Sequence, residues 1–370
     1  MERNRIVYFD LLRIWGMLWV IYMHVASSPL SEGVNTQWVL ITMFTSIAYT
    51  AVPLFFMMSG YLLLTSKKTE SISVLVKHRL PHLVVPLTFW NVIIACWIVF
   101  KNQEISLINI IGHVLTSFSS PLMQHLWFVY TLVTLYLISP ILYFAFNSMG
   151  EKIKKYILVI MALVFLQTMI TIVIPVPLEQ FFRIRSISEL NFLDGAFWTF
   201  VLGYFLGNMN KRIPNILLII VAAVDWVFIT VNTVLASIEC GKYTGEFQNQ
   251  RAGFMIVLAA CIFLLFKQGI KCKRKVFTLA NLSFGIYIIH NLVNRILSYI
   301  GYEAYTLMGI FGKGLVILLI CYIVIKTFAS IKPLCYITTG VSYEMACKCC
   351  NWQFTYNTIR GLLKNISENK

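Results

Sequence analysis

Apolar windows recur along almost the whole chain, near residues 6–27, 38–65, 82–100, 126–146, 156–175, 192–208, 214–236, 252–268, 276–297 and 307–329. A segment of about twenty such residues, rising ~1.5 Å each, matches the ~30 Å hydrocarbon core of a bilayer. Inside that core every backbone N–H and C=O must be satisfied within the segment, which makes the helix the natural spanning element. At 59% hydrophobic and 12% charged residues, with a mean hydropathy of +0.77, the 370-residue chain lacks the polar residues to cover a water-soluble globule. The expected fold is an all-α polytopic membrane protein with about ten transmembrane helices. The window 192–208 is the weakest, being short and carrying Asp194. Between the third and fourth windows, ISLINIIGHVL reads as an interfacial helix rather than a further crossing.

The formal charge is +15, from 30 Lys+Arg against 15 Asp+Glu. If the N-terminus is cytoplasmic, the inside loops and span ends gather the basic clusters Lys67–Lys68, Lys77–Arg79, Lys152–Lys155, Lys211–Arg212 and Lys271–Lys275. The outside keeps only Lys101, Arg183, Arg185, Lys242, Arg251, Arg295 and Lys313. That asymmetry orients the chain with both termini cytoplasmic, and it assigns the basic residues to membrane anchoring. Membrane lipid is therefore the expected partner of the charge, and nucleic acid is not, since no basic stretch is interleaved with aromatics in a recognition motif. Residues 1–330 form the expected transmembrane domain. Residues 331–370 read as a cytoplasmic or membrane-surface tail, in which Trp352, Phe354, Ile359, Leu362 and Leu363 suit an amphipathic helix. Arg3 and Arg5 before an apolar run resemble a signal peptide, but Asp10 and Arg13 interrupt the required apolar core, so an uncleaved first span is expected.

Chemistry concentrates in that first span, IVYFDLLRIWGMLWVIYMHVA. Ionisable groups at membrane depth are expensive and mark functional sites or paired charges. His24 follows Arg13 by eleven positions, which returns to almost the same helix face ~16 Å further along. Asp10, three residues before Arg13, shares the face. His24 is a candidate general base, Arg13 needs an anion, and Asp10 is either that anion or the group that aims it. In the second span Pro53 opens the ladder, Gly60 permits close helix approach, and Ser59 and Tyr61 offer hydroxyls. His125 and Trp127 stand at the outer start of the fourth span. Ser283, Tyr287 and His290 fall on one face of the ninth, where His290 reads more readily as a hydrogen-bonded core residue. Nine cysteines are scattered, and the CKCC run at 347–350 has no second ligand pair at zinc spacing, so no metal is expected. There is no phosphate-binding loop, dinucleotide fingerprint, zincin motif or nucleophile elbow.

An arginine, ten residues and a histidine in the first span, as in FDLLRIWGMLWVIYMH, is the hallmark of the integral-membrane acyltransferase 3 family, which this chain resembles. FFMMSGYLL, HLWFVYTLVTLYLISPIL and SFGIYIIH are similar to further blocks of that family, in its order, over about residues 1–330. The chain looks most like the bacterial stand-alone O-acetyltransferases of surface polysaccharides. The resemblance implies an enzyme of the cytoplasmic membrane that transfers an acyl group, usually acetyl from acetyl-CoA, to a hydroxyl of a cell-surface or lipid-linked glycan. It implies Arg13, Lys77 and Arg79 as candidates for donor phosphates, and His24 as the residue where thioester and acceptor meet. The histidine acts either as base for direct attack or as a covalent acyl carrier. A small-molecule, serine-like transporter is the alternative, and a second copy of the chain is a candidate partner.

Overall fold

The computed structural model describes residues 6–30, 35–174, 195–270 and 277–368. Asp194, Arg183, Arg185, Arg3, Arg5 and the 271–275 basic cluster lie outside them. The described residues contain helices and no strand. In order these are α1 (Val7–Leu30), α2 (Thr36–Ala48), α3 (Ala51–Leu64), α4 (Pro81–Lys101), α5 (Leu107–Thr116), α6 (Trp127–Ser148), α7 (Glu151–Val173), α8 (Ala196–Asn208), α9 (Asn215–Cys240), α10 (Gly253–Gly269), α11 (Phe277–Tyr299) and α12 (Leu307–Ser330). Three further helices follow: α13 (Lys332–Thr339), α14 (Tyr343–Cys349) and α15 (Trp352–Glu368). The protein is an all-α polytopic membrane protein. Among the described residues, seven segments are long and apolar enough to cross a bilayer, with α2 and α3 together counted as one of 29 residues.

The other three predicted windows hold helices that fall short for physical reasons. α8 has 13 residues, and α10 has 17, so neither reaches ~30 Å unaided. α11 is long enough but carries Asn281, Ser283, His290, Asn291 and Asn294, of which Ser283, His290 and Asn291 are buried. The predicted interfacial segment is α5, a helix none of whose residues is buried.

α1 runs through the middle of the bundle, packed on α2, α3, α11 and α12. The second crossing breaks at Tyr49–Thr50. Pro53 lies in the first turn of α3, where a missing N–H is harmless but the ring keeps the residue-49 carbonyl out of the ladder. α3 and α8 then meet at backbone contact. A Cβ at Gly60 would stand 1.8 Å from the Phe200 carbonyl oxygen, and one at Gly203 would stand 2.0 Å from that of Met57. Without water in the bilayer to drive association, such close approach supplies the packing that holds two membrane helices together.

Residues beyond 330 fold back against one end of the bundle. The Trp90 indole donates to Thr338 O at 3.0 Å, His82 Nδ1 donates to Gly340 O, and Thr278 Oγ1 donates to Cys349 O at 3.0 Å. Gly340 has φ +71°, and a Cβ there would lie 2.4 Å from His82 O, so the corner suits glycine alone. Lys326 Nζ, near the end of α12, sits 4.1 Å over the Trp352 ring. Side chains beyond 360, Leu362 and Leu363 included, lie outside the described residues.

At the opposite end, Lys313 is 2% exposed and its Nζ is 3.0 Å from both Glu303 Oε2 and Ser298 Oγ. Burial opposes ionisation of Glu303, but the hydrogen bonds from Lys313 and Ser298 outweigh it and hold the carboxyl below its usual 4.5. A depressed carboxylate contributes stability that is full above the unfolded value and is lost as pH falls through the folded one. The thermal midpoint of the purified protein is expected to fall on acidification from pH 5 toward pH 3. Glu303→Gln should flatten that limb, and an unchanged slope would remove the pair from the account.

Candidate functional site

Two cavities open from opposite ends of the bundle and meet at one side chain. The one beside the residues after 330, named the inner cavity after the expected orientation, has about 290 Å3 and is lined by Arg13, Ser59, His82, Tyr136, Asn281 and Ser283, together with Thr339–Val341 from beyond the last long helix. The outer one, about 160 Å3, is lined by His24, Tyr49, Gln124, His125, Trp127 and Gln250. Tyr287 lines both. Phe55 and Phe128, on the inner side, pack on it with ring centres 6.3 and 5.6 Å away, and on each other at 5.7 Å. An aromatic partition thus separates a guanidinium from an imidazole that the α1 helix holds ~16 Å apart on one stripe.

Arg13 Nη1 lies 3.3 Å from Asp10 Oδ1, at the expected i, i+3 spacing. Asp10 is 1% exposed, whereas the Arg13 side chain is 36% exposed, so the carboxylate is shut away and the guanidinium reaches the cavity. A planar fork anchored from behind by a carboxylate is built to take a second anion in front.

On the outer side three imidazoles converge. The His24 ring centre is 5.6 Å from that of His125 and 5.2 Å from that of His290, and the latter two are 4.8 Å apart. His125 is held firmly: its Nε2 donates to Ile288 O at 3.0 Å, its Nδ1 is 3.3 Å from Asn291 Nδ2, and its carbonyl accepts the Tyr287 hydroxyl at 2.5 Å. Trp127 flanks the cavity with the Arg251 guanidinium 4.9 Å over its ring. His24 is different, since it faces the cavity with its Nε2 enclosed and unpartnered.

The structure therefore brings Arg13 and Ser59 to the inner cavity, with Asp10 buried behind Arg13, His24, His125 and Trp127 to the outer one, and Tyr287 between them. His290 lines neither cavity but touches both other imidazoles. Three predicted residues lie apart. Tyr61 is two positions from Ser59, about 200° round the helix, and packs instead on Phe9, with ring centres 5.4 Å apart. Arg79 is tied to Thr69 Oγ1 at 2.5 Å and Ser66 Oγ at 3.0 Å, Lys77 is exposed two residues before it, and neither lines the Arg13 cavity. Sequence reading missed Asn291 and Asn294, whose polar spacing around His290 was visible. It also missed His82, Tyr136 and the 339–341 corner, which only long-range packing brings in. Among the described residues no group of three or more His, Cys, Asp or Glu is arranged to hold a metal ion.

A guanidinium pocket and an imidazole pocket thus meet across Tyr287 inside a bundle of membrane-spanning helices. The model of the acyltransferase domain family matches residues 6–326, and the chain belongs to that acyltransferase 3 family. The protein is a multi-pass membrane acyltransferase, and the family supports the enzyme over the transporter. No curated protein and no solved structure matches the chain.

Proposed function

We propose that the protein transfers an acetyl group from acetyl-CoA, entering the inner cavity, to a hydroxyl of a cell-surface or lipid-linked glycan, entering the outer one. The single observation that carries this is the shared wall: one phenol, Tyr287, borders both the guanidinium pocket and the imidazole pocket. In this reading the enzyme lies in the bacterial cytoplasmic membrane with both termini cytoplasmic, so that the donor meets Arg13 from the cell interior. Asp10 aims the guanidinium, Arg13 takes a donor phosphate, and Ser59 offers a hydroxyl beside it. His24 removes the proton of the acceptor hydroxyl, whose oxygen attacks the acetyl carbonyl carbon. The C–S bond breaks as the ester C–O bond forms, and the departing thiolate takes the proton from His24. His125 and Trp127 shape the acceptor pocket. Lys77 and Arg79 serve the approach to the inner mouth, outside the cavity itself.

Acetyl-CoA is expected to raise the thermal midpoint of the purified protein, because a ligand at a hundred times its Kd stabilises by about 2.7 kcal/mol. Arg13→Gln should lose most of that shift while keeping the unliganded midpoint within a few degrees. No response to acetyl-CoA in the unaltered protein would sink the donor assignment. Mass spectrometry of surface glycans with and without the protein then tests the acceptor, through the loss of an acetyl mass.

A further inference from the structure

Arg13, Gly16, Val20 and His24 follow one another on α1 at steps of three, four and four residues, which sets them on a single stripe of the helix. Arg13 lines the inner cavity, and Val20 and His24 line the outer one. The stripe therefore crosses from one cavity to the other at Gly16. There the Phe55 ring lies against it: a Cβ at Gly16 would stand 2.7 Å from Phe55 Cζ. The missing side chain leaves a groove in α1, and the tip of the ring fills it. The three rings of the partition are not held alike. Tyr287 is 4% exposed, and its hydroxyl donates to His125 O. Phe128 is 5% exposed and has Phe56 against it, with ring centres 4.9 Å apart, besides Phe55 and Tyr287. Phe55 is partly exposed and lines the inner cavity, and turning a phenyl ring breaks no hydrogen bond.

We propose that Phe55 gates the donor route: the acyl head of the donor turns its ring aside, and the arm behind that head lies on Gly16, so that the thioester reaches His24 while the phosphates stay at Arg13. This rests on the reading of acetyl-CoA as the donor at the inner cavity. The lengths agree. The arm of coenzyme A runs about thirteen bonds from phosphorus to sulfur, roughly 15 Å when extended. Eleven residues of helix separate Arg13 from His24 by ~16 Å. What crosses the rings is uncharged, and the rings offer a phosphate no partner that would repay its loss of water. With the arm withdrawn, the ring returns to the groove and the two cavities part again.

The probe is bromoacetyl-CoA, acetyl-CoA with one hydrogen replaced by bromine, applied to Val20→Cys protein in inverted membrane vesicles, which present the cytoplasmic face. The thiolate introduced by Val20→Cys attacks the bromoacetyl CH2. The C–S bond forms as the C–Br bond breaks, bromide leaves, and the thiol proton passes to the buffer. Coenzyme A does not cross the bilayer, so the adduct on that peptide, read by mass spectrometry, reports passage between the cavities. Rates are taken relative to Cys347, a partly exposed native thiol on α14. Adding Phe55→Ala is expected to speed the labelling about tenfold, the factor that holding a ring off its preferred rotamer is worth. Phe55→Leu should fall between, and it carries the test if the alanine variant does not accumulate. Adding Phe56→Ala instead should change nothing, since Phe56 is buried and lines neither cavity. Equal rates in the Phe55 and Phe56 variants, or an adduct in none, overturn the proposal. Donor binding is read separately by the thermal shift with acetyl-CoA. A shift without the Phe55 effect leaves the donor standing and removes the gate; no shift removes both. Labelling as expected with unacetylated surface glycans leaves the gate standing and removes the acceptor.

Discussion

His24→Ala is expected to abolish acetyl transfer while the protein still inserts and accumulates in the membrane. A positioned base contributes about 10²–10⁴-fold to rate, and no second imidazole takes over. His125 has both ring nitrogens committed, and His290 lies behind His24 rather than on the cavity. Removing the ring leaves space beside the outer cavity rather than a hole in the apolar core, so the stability cost is modest compared with that of a buried leucine. The measurement is the acetyl content of surface glycans in cells carrying the variant, set against its membrane level by immunoblot. Undiminished acetylation at an equal protein level would take His24 out of the mechanism.

Gly203→Val is expected to have the largest effect on the fold. Its Cβ would collide with the Met57 backbone at 2.0 Å from the carbonyl oxygen, and no rotamer change can move a backbone. Overpacking that side chains can absorb costs about 1–3 kcal/mol; here α8 must separate from α3 along its length, which exceeds that range and is a large share of a typical total stability of about 5–15 kcal/mol. The variant should fail to accumulate or should unfold at much lower temperature in detergent. The control is Gly112→Ala on α5, where an added Cβ meets nothing within 4 Å and should be neutral. Equal stability of the two variants would show that the α3–α8 seam is not a constraint on the fold.

The crossings were legible because hydrocarbon thickness is a blunt ruler: any apolar run of the right length announces itself. The one stripe carrying Asp10, Arg13 and His24 was legible too, since three ionisable groups on a single helix are related by helical geometry alone. Ser59 and Tyr61 show where this ends. Both hydroxyls were visible, but two residues of helix turn them to opposite sides, and only packing decides which side is the cavity. The contribution of Thr339–Val341 was invisible for a different reason. It depends on His82 and Trp90 holding a corner some 250 residues later in the chain, a pairing with no local signature. The polarity of residues 331–370 marks a cytosolic or membrane-surface tail, and nothing in it announces that the end of α13 and the corner after it add Thr339–Val341 to the inner cavity's wall.

The phenol and two phenyl rings between the pockets have an electrical consequence. A bilayer at 100 mV stores about 2.3 kcal/mol for each elementary charge it keeps from crossing. An enzyme that joins a substrate of one compartment to a substrate of the other must let a chemical group through without letting ions follow. In the proposed acetyl transfer, the packed rings of Phe55, Phe128 and Tyr287 across the route bar ions from following the group that passes.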